Sequence, residues 1–203
     1  MVWIKRTAPL LSYFAIIIGL YFFHNAWAAF LMYHVGILLI LLKEGEFKDI
    51  HWLAKGWNNM WGFALIVFGI AGGALIFFLW PFLQVDKSIS LKLAAIGLTG
   101  ASWLGFVIYH SLINSWFEEF FWRGYFGSPS QKPHPTDFLF AGYHLFVLYL
   151  FLAWQWLILA FVILVVAAWL WRIMVLKHKG LLVPVASHIA ADGAIMLVLF
   201  LLV

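Results

Sequence analysis

Long apolar stretches that carry almost no charge are the feature that most constrains this chain. The first runs from Pro9 to Leu42, and comparable stretches follow it to the C-terminus. Hydrophobic residues make up 66% of the 203 residues and charged residues only 10%, whereas soluble domains are about 25% charged. A soluble core of this size cannot bury so much apolar surface, so the sequence predicts a polytopic membrane protein.

The spanning elements are predicted to be α-helices, because the sequence lacks the alternating ten-residue segments of a membrane barrel. The chain has no cysteine, which excludes disulfides and cysteine-ligated metal sites. The net charge of +4 comes from lysines and arginines that flank apolar segments, so we expect the lipid bilayer, and not nucleic acid, as a partner. The basic N-terminus is followed by no small-residue cleavage site, so no cleavable signal is expected.

About seven helices are predicted, because polar and turn-forming stretches divide the apolar sequence. They cover about 9–24, 26–42, 61–83, 91–126 and 138–153, then a stretch that ends near 176, and finally 181–203. The run from Pro9 to Leu42 is too long for one straight span, and Asn25 can cap a second helix after a break at His24-Asn25. The stretch 91–126 is also long, which predicts a break near Asn114-Ser115 or a strong tilt.

Smaller signals complete this prediction. Gly69 and Gly73 have the spacing of a close helix contact, and Gly97, Ala101 and Gly105 form a second stripe of small residues. Asp137 is expected to cap the fifth helix, and Trp154-Gln155-Trp156 to mark the turn that follows it. No second domain is evident, so residues 1–203 are read as a single membrane domain whose motif-bearing core covers about 91–203.

The distribution of lysine and arginine predicts a cytoplasmic N-terminus. With seven helices, ten of the 12 lysines and arginines fall inside and two, Lys87 and Lys92, fall outside. The ten are Lys5, Arg6, Lys43, Lys48, Lys55, Arg123, Lys132, Arg172, Lys177 and Lys179. If Pro9–Leu42 were one span, the bias would fall to 8 against 4 of the same 12, so the positive-inside rule favours seven helices.

Two adjacent carboxylates and an arginine stand out in an aromatic stretch: Glu118, Glu119 and Arg123. In a helix, Glu119 and Arg123 lie on one face and can pair, whereas Glu118 points about 100° away. Ionisable groups at membrane depth are costly and indicate a functional site. A structural ion-pair clasp is the alternative interpretation of this cluster.

Two later motifs supply possible partners, Phe140 with His144 and His188 with Asp192. The members of each pair are four residues apart and share a helix face. At the helix rise per residue, all three motifs lie roughly 10–14 Å from the cytoplasmic ends of their helices. We therefore expect one site in one layer of the membrane, although each histidine alone is also typical of a hydrogen-bonded packing residue.

These side chains suit hydrolysis of a peptide bond, which needs an activated water and donors for the developing oxyanion. Glu118 is the expected base, because it lacks a local partner. His144 could hold the water or orient Glu118, and His188 could donate to the oxyanion. Asp192 could fix the tautomer of His188.

A metal site is the alternative chemistry. His144 and His188, with a carboxylate from Glu118 or Asp192, would make a catalytic zinc site with one open position. No His-Glu-x-x-His motif is present, so zinc is possible but not required.

The three motifs, Glu118-Glu119-xxx-Arg123, Phe140-xxx-His144 and His188-xxx-Asp192, occur in this order on separate predicted helices. Together they resemble those of the CPBP intramembrane proteases, the CAAX proteases and bacteriocin-processing enzymes also called the ABI family. The stretch Lys177-His-Lys-Gly-Leu-Leu-Val-Pro-Val-Ala-Ser-His188 is similar to the segment that leads into the last motif of this family. The resemblance covers about residues 114–203.

The resemblance implies an intramembrane endopeptidase of a prokaryotic cell membrane, with its site in a cavity open to the cytoplasm. Glu118 would activate the water, and the implied catalytic set is Glu118, Glu119, Arg123, His144, His188 and Asp192. Implied substrates are membrane-associated proteins or peptides, such as prenylated CAAX tails, precursor peptides or sorting-signal proteins. The family commonly has asparagine where this chain has Asp192, and an ionised aspartate cannot donate to an oxyanion.

Two other functions remain open at this stage. Some members of the family act as non-proteolytic scaffolds, so a catalytically silent scaffold or immunity-type binding protein of the same fold is one alternative. A proton-coupled transporter that uses Glu118 and His144 as a relay is the other.

Overall fold

The computed structural model describes residues 2–83 and 88–203, and all regular structure within these ranges is helical. The helices are α1 (Val2–Thr7), α2 (Leu10–Phe22), α3 (Ala26–Glu44), α4 (Asn59–Phe82), α5 (Ile89–Ala95), α6 (Gly100–Tyr125), α7 (Pro135–Leu148), α8 (Trp154–His178) and α9 (Leu182–Leu202). A 3-10 helix, Glu46–Ala54, lies between α3 and α4. The predicted all-helical membrane fold is confirmed.

Four of these helices, α3, α4, α8 and α9, are long and apolar enough to cross a membrane. A fifth span is possible if α5 and α6, which meet at an angle of 88°, are taken as one broken span. Helix α2 is a shorter apolar helix, and α7 has 14 residues. The prediction of a membrane bundle is therefore confirmed, whereas the count of seven crossings stays a prediction.

The predicted break between α2 and α3 is confirmed. His24 has a positive φ of 49°, which the helix cannot accommodate, and Asn25 has an extended backbone. The Asn25 side chain accepts a hydrogen bond from the Ala28 backbone N–H at 2.9 Å, so it caps α3.

The break predicted near Asn114-Ser115 is wrong. The chain bends between Ile96 and Thr99, where Gly97 has a φ of 80° that favours glycine. Helix α6 continues through Asn114 by means of a π-helical turn at His110–Asn114, and a second π-helical segment forms its end at Phe120–Tyr125. A π-helical turn absorbs an irregularity without ending the helix, so the polar residues Asn114 and Ser115 do not mark a break. Gly97 lies in the bend, so the second stripe of small residues does not form one helix face.

Two predicted boundaries also shift at α7 and α8. His134, and not Asp137, is the N-cap of α7, and Asp137 completes the capping box by accepting from the His134 backbone N–H at 2.8 Å. The turn after α7 lies at residues 149–153, and Trp154 already begins α8. Both shifts are of a few residues, as expected where a cap and not the hydrophobic pattern sets the boundary.

Helices α4 and α9 pack closely, as the spacing of Gly69 and Gly73 predicts. A Cβ atom on Gly69 would lie 2.7 Å from the carbonyl oxygen of Ser187, and one on Gly73 would lie 2.7 Å from the carbonyl carbon of Ala194. Only glycine leaves room for this approach. The contact fixes α9, which carries His188 and Asp192.

Candidate active site

The acidic motif lies on a short α-helical stretch, Ser115–Glu119, between the two π-helical segments of α6. Glu118 and Glu119 have no exposed surface, and Arg123 is 3% exposed. Arg123 Nη1 lies 3.1 Å from Glu119 Oε1, so the predicted pair of these two residues is present. Glu119 is thus neutralised within its own helix.

Aromatic rings from α7 and α8 cover Arg123. Its guanidinium carbon lies 4.1 Å from the ring centroid of Phe140 and 4.9 Å from that of Trp171. The π-faces of these rings attract the cation in a place that water does not reach. Phe140, the first residue of the second motif, therefore packs against the arginine of the first motif.

His188 brings the third motif against the first. Its Nδ1 lies 2.8 Å from Glu119 Oε1, and its Nε2 lies 3.5 Å from both Glu118 Oε2 and Asp192 Oδ2. The ring stacks on Trp171, with 4.5 Å between centroids. The sequence suggested that Asp192 fixes the tautomer of His188, but the short hydrogen bond of the ring is donated from Nδ1 to Glu119.

Glu118 has two partners that the sequence analysis missed. The hydroxyl of Tyr143 donates to Glu118 Oε1, and the amide of Asn114 donates to Glu118 Oε2 at 3.2 Å. The expectation that Glu118 lacks a local partner is therefore wrong, although neither partner is a cation. Asn114 is four residues before Glu118, so helical spacing could have revealed it. Tyr143 offered no such signal, because its contact depends on how α7 packs on α6.

Asp192 faces several nitrogen groups at once. Asn114 Nδ2 donates to its Oδ2 at 3.2 Å, and His110 Nδ1 lies 3.4 Å from the same oxygen. The side chain of Asp192 is 13% exposed, more than either glutamate. Asp192 is therefore placed as an acceptor among three nitrogen groups, since His188 Nε2 also faces it.

His144 is close to this cluster but outside its hydrogen bonds. Its Nδ1 donates to the backbone oxygen of Phe140 at 2.8 Å, and its ring stacks on Tyr143 with 4.0 Å between centroids. Within residues 2–83 and 88–203, its Nε2 has no hydrogen bond and no ion pair with a carboxylate. The structure thus joins five of the six predicted site residues directly and places His144 next to the tyrosine that binds Glu118.

A second layer of polar residues lies behind the carboxylates. His34 contacts Asn114 and Tyr109, and Tyr33 accepts a hydrogen bond from Trp122 Nε1 at 2.8 Å. His34 and Tyr33 are 2% exposed and come from α3, in the half of the chain that carries no motif. The sequence left both residues without a role, because nothing in their spacing connects them with residue 114.

The donor set does not form a ready-made metal site. In the part of the chain that the structure describes, no three His, Asp or Glu side chains are grouped as ligands of one ion. Two pockets, of about 280 and 300 Å³, lie elsewhere, and neither is lined by the carboxylates or histidines of the cluster. A zinc site made by Glu118, His144, His188 and Asp192 stays a prediction that metal analysis can test.

A comparison with models of known protein families finds a match. The family model described as type II CAAX prenyl endopeptidase Rce1-like matches residues 99–194, just under half of the chain. The matched segment contains all three motifs, together with Asn114 and Tyr143. No curated protein and no solved structure matches the chain.

Proposed function

Because residues 99–194 are Rce1-like, we propose that this chain is an intramembrane endopeptidase that uses a glutamate-activated water. Its substrate would be a membrane-associated protein or peptide, and its site would face the cytoplasm of a prokaryotic cell. The family match supports a CAAX-type protease at the level of the family. The residue roles below are part of the proposal.

One observation carries the assignment of roles. Glu118 and His188 are 70 positions apart (188 − 118), yet His188 Nε2 lies 3.5 Å from Glu118 Oε2 with both side chains buried. Burying an acid and an imidazole together is costly unless they are paired and hydrogen-bonded. The pairing supports the proposal because it brings a base and a hydrogen-bond donor next to each other.

The proposed reaction follows from these contacts. Glu118 takes a proton from a water molecule held beside it, and His144 Nε2 accepts a second hydrogen bond from that water. The resulting hydroxide attacks the carbonyl carbon, and an N–H of His188 stabilises the oxyanion. Glu118 then returns the proton to the leaving amine as the C–N bond breaks. Tyr143 holds Glu118 in place, and Glu119 holds His188.

The proposal is tested with purified protein in detergent and a farnesylated peptide that ends in a CAAX sequence. Mass spectrometry should show loss of the terminal tripeptide and one oxygen-18 atom in the new carboxylate when the reaction is run in labelled water. Glu118→Gln should abolish cleavage while the protein still folds. Product formation by Glu118→Gln at nearly the wild-type rate would remove Glu118 from the role of base.

A silent scaffold of the same fold is the second candidate. The observation that favours it is the complete burial of Glu118, together with the hydrogen bonds that Tyr143 and Asn114 make to its two oxygens. Each carboxylate oxygen has a second lone pair, so a water can still be accepted once the site opens. If wild-type protein binds the farnesylated peptide and never cleaves it, the scaffold is the better description.

A further inference from the structure

Asn114 joins the two carboxylates that come from different motifs, although no motif includes it. Its Nδ2 donates to Glu118 Oε2 and to Asp192 Oδ2, at 3.2 Å in each case. An amide nitrogen carries two hydrogens, so both of its donors are used. His188 Nε2 faces the same two oxygens. Two donors and two acceptors therefore alternate around a small ring at the centre of the cluster.

The amide of Asn114 is held from its other side by α3. Asn114 Oδ1 lies 3.2 Å from His34 Nε2, and His34 Nδ1 lies 2.8 Å from the hydroxyl of Tyr109. Because Oδ1 can only accept, His34 Nε2 must donate, which leaves Nδ1 to accept from Tyr109. Phe117 stacks on the His34 ring at 4.4 Å and holds its plane.

This arrangement allows only one orientation of the amide. If it were reversed, the carbonyl oxygen would face two carboxylates, and the two acceptors would lose their shared donor. Two carboxylates within reach of one nitrogen repel each other, and a shared neutral donor offsets that repulsion without adding charge. Asn114 ends a π-helical turn, a deviation from α-helix that is often found at functional sites.

We propose that Asn114, oriented by His34, is a positioning residue that sets the relative placement of the Glu118 and Asp192 carboxylates during peptide hydrolysis. The inference rests on the proposed function. It extends the working site to a residue of α3, which lies outside the segment that matches the family model.

The first test measures kcat and KM for the farnesylated CAAX peptide in Asn114→Asp, which replaces the shared donor with an acceptor. We expect kcat to fall by about 10- to 100-fold, the scale for loss of a supporting partner, with little change in KM. Adding Asp192→Asn should recover part of the loss, because one amide and one acid then again face each other. Asn59→Asp makes the same chemical change on an exposed residue and should behave as the wild type. A wild-type kcat for Asn114→Asp, or losses that simply multiply in the double variant, would overturn the inference.

The second test leaves the charges of the cluster unchanged. His34→Leu removes the donor that orients Asn114, whereas His34→Gln keeps an N–H donor in a similar place. We expect His34→Leu to lower kcat about 10-fold and His34→Gln to retain most of the wild-type value. Equal activities in the two variants would show that His34 does not act through its hydrogen bond.

A third test does not depend on cleavage. Nitrogen-15 spectra of histidine-labelled protein should show His34 as the Nε2–H tautomer, identified by the signal that His34→Gln removes. In Asn114→Leu this signal should shift, because its acceptor is gone. An unchanged signal would show that Asn114 and His34 are not hydrogen-bonded, whether or not the enzyme cleaves the peptide. A wild-type protein that leaves the peptide intact would instead count against the proposed function alone.

Discussion

Glu119 touches the arginine of its own motif and the histidine of the last motif with the same oxygen, Oε1. It is therefore the residue at which two parts of the site, which lie 69 positions apart, are held together. The charge of Arg123 is balanced by Glu119, because its other neighbours, the rings of Phe140 and Trp171, carry no charge. Removal of either charge breaks this buried ion pair, and Arg123 is then left without a carboxylate, whereas Glu119 keeps its contact with His188.

We expect Glu119→Gln and Arg123→Ala each to lower the free energy of unfolding by about 3–5 kcal/mol, the usual loss when one partner of a buried ion pair is removed. Thermal unfolding in detergent checks this, with the exposed Lys48→Ala as control. The double variant should lose less than the sum of the two single losses, since the pair is then absent as a whole. Strict additivity would show that the two charges are not coupled.

The next prediction concerns Asp192, which accepts a hydrogen bond from Asn114 and faces His188 and His110. If it works as an acceptor, Asp192→Asn should reduce kcat about 10- to 100-fold and leave the metal content unchanged. If it binds a metal, the wild type should contain stoichiometric zinc that disappears in Asp192→Asn, and a chelator should silence the wild type. If it donates to the oxyanion, the asparagine variant should be at least as active. Metal analysis of both forms beside their cleavage rates separates these three outcomes.

Sequence reasoning succeeded at this scale where chemistry is local and failed where it depends on packing. The spacing of Glu119 and Arg123 was enough to predict their ion pair, and three separate motifs pointed to one cluster. Tyr143 and His34 were missed, because each reaches the cluster through a contact between helices that no spacing in the sequence encodes. The exact partner of His188 was also out of reach, since Glu119 and Asp192 both lie within range of its ring.

At the scale of helices too, features set by local side-chain contacts could be predicted from the sequence, and the other features could not. A residue that caps a helix, such as Asn25, is visible in the sequence because its side chain satisfies its own helix. The bend after α5 was missed because one glycine with positive φ, Gly97, competes with an apolar pattern that continues through it. The π-helical turns of α6 were missed as well, since they differ from α-helix by one residue per turn and leave no mark in hydropathy.

The contact between α4 and α9 gives a matched pair of variants at neighbouring positions. A Cβ on Gly73 would meet the backbone of Ala194 at 2.7 Å, whereas one on Gly72 would meet nothing within 4 Å. Gly73→Ala should therefore cost about 1–3 kcal/mol, the range for overpacking, and Gly72→Ala should be neutral or slightly stabilising. Because α9 carries His188 and Asp192, the cleavage rate should fall together with the stability of Gly73→Ala. Equal melting temperatures in the two variants would contradict the close packing.

Contacts across the whole molecule join chain segments that the charge distribution assigns to the same side of the membrane. On the predicted cytoplasmic side, the Leu181 backbone N–H donates to the oxygen of Trp52 at 2.8 Å, and that of Leu182 donates to Lys55 at 2.8 Å. On the opposite side, the Ala26 backbone N–H donates to Ile96 at 2.9 Å. The seven-crossing topology is consistent with these pairs and still needs a direct test.

Single cysteines provide that test, because the chain has none of its own. Gln131→Cys, in the exposed loop before α7, should be shielded from an impermeant thiol reagent added to intact cells, whereas Ser88→Cys should react. Both should react after the cells are opened. The reverse pattern would place the site on the other side of the membrane and rule out substrates delivered from the cytoplasm.

Helices α2 and α7, both shorter than a typical bilayer is thick, are neighbours, and this affects the lipid around them. Tyr13 of α2 donates from its hydroxyl to the backbone oxygen of Leu139 in α7 at 2.8 Å. With 7 + 6 residues in α2 and 14 in α7, each is only ~20 Å long, against ~30 Å of hydrocarbon in a typical bilayer. As crossing helices they would create a hydrophobic mismatch on one flank, and the bilayer would have to thin beside them. Since α7 carries Tyr143 and His144, the turnover rate in vesicles should rise as the acyl chains are shortened from 18 to about 14 carbons, a dependence on thickness that a bundle of full-length helices would not show.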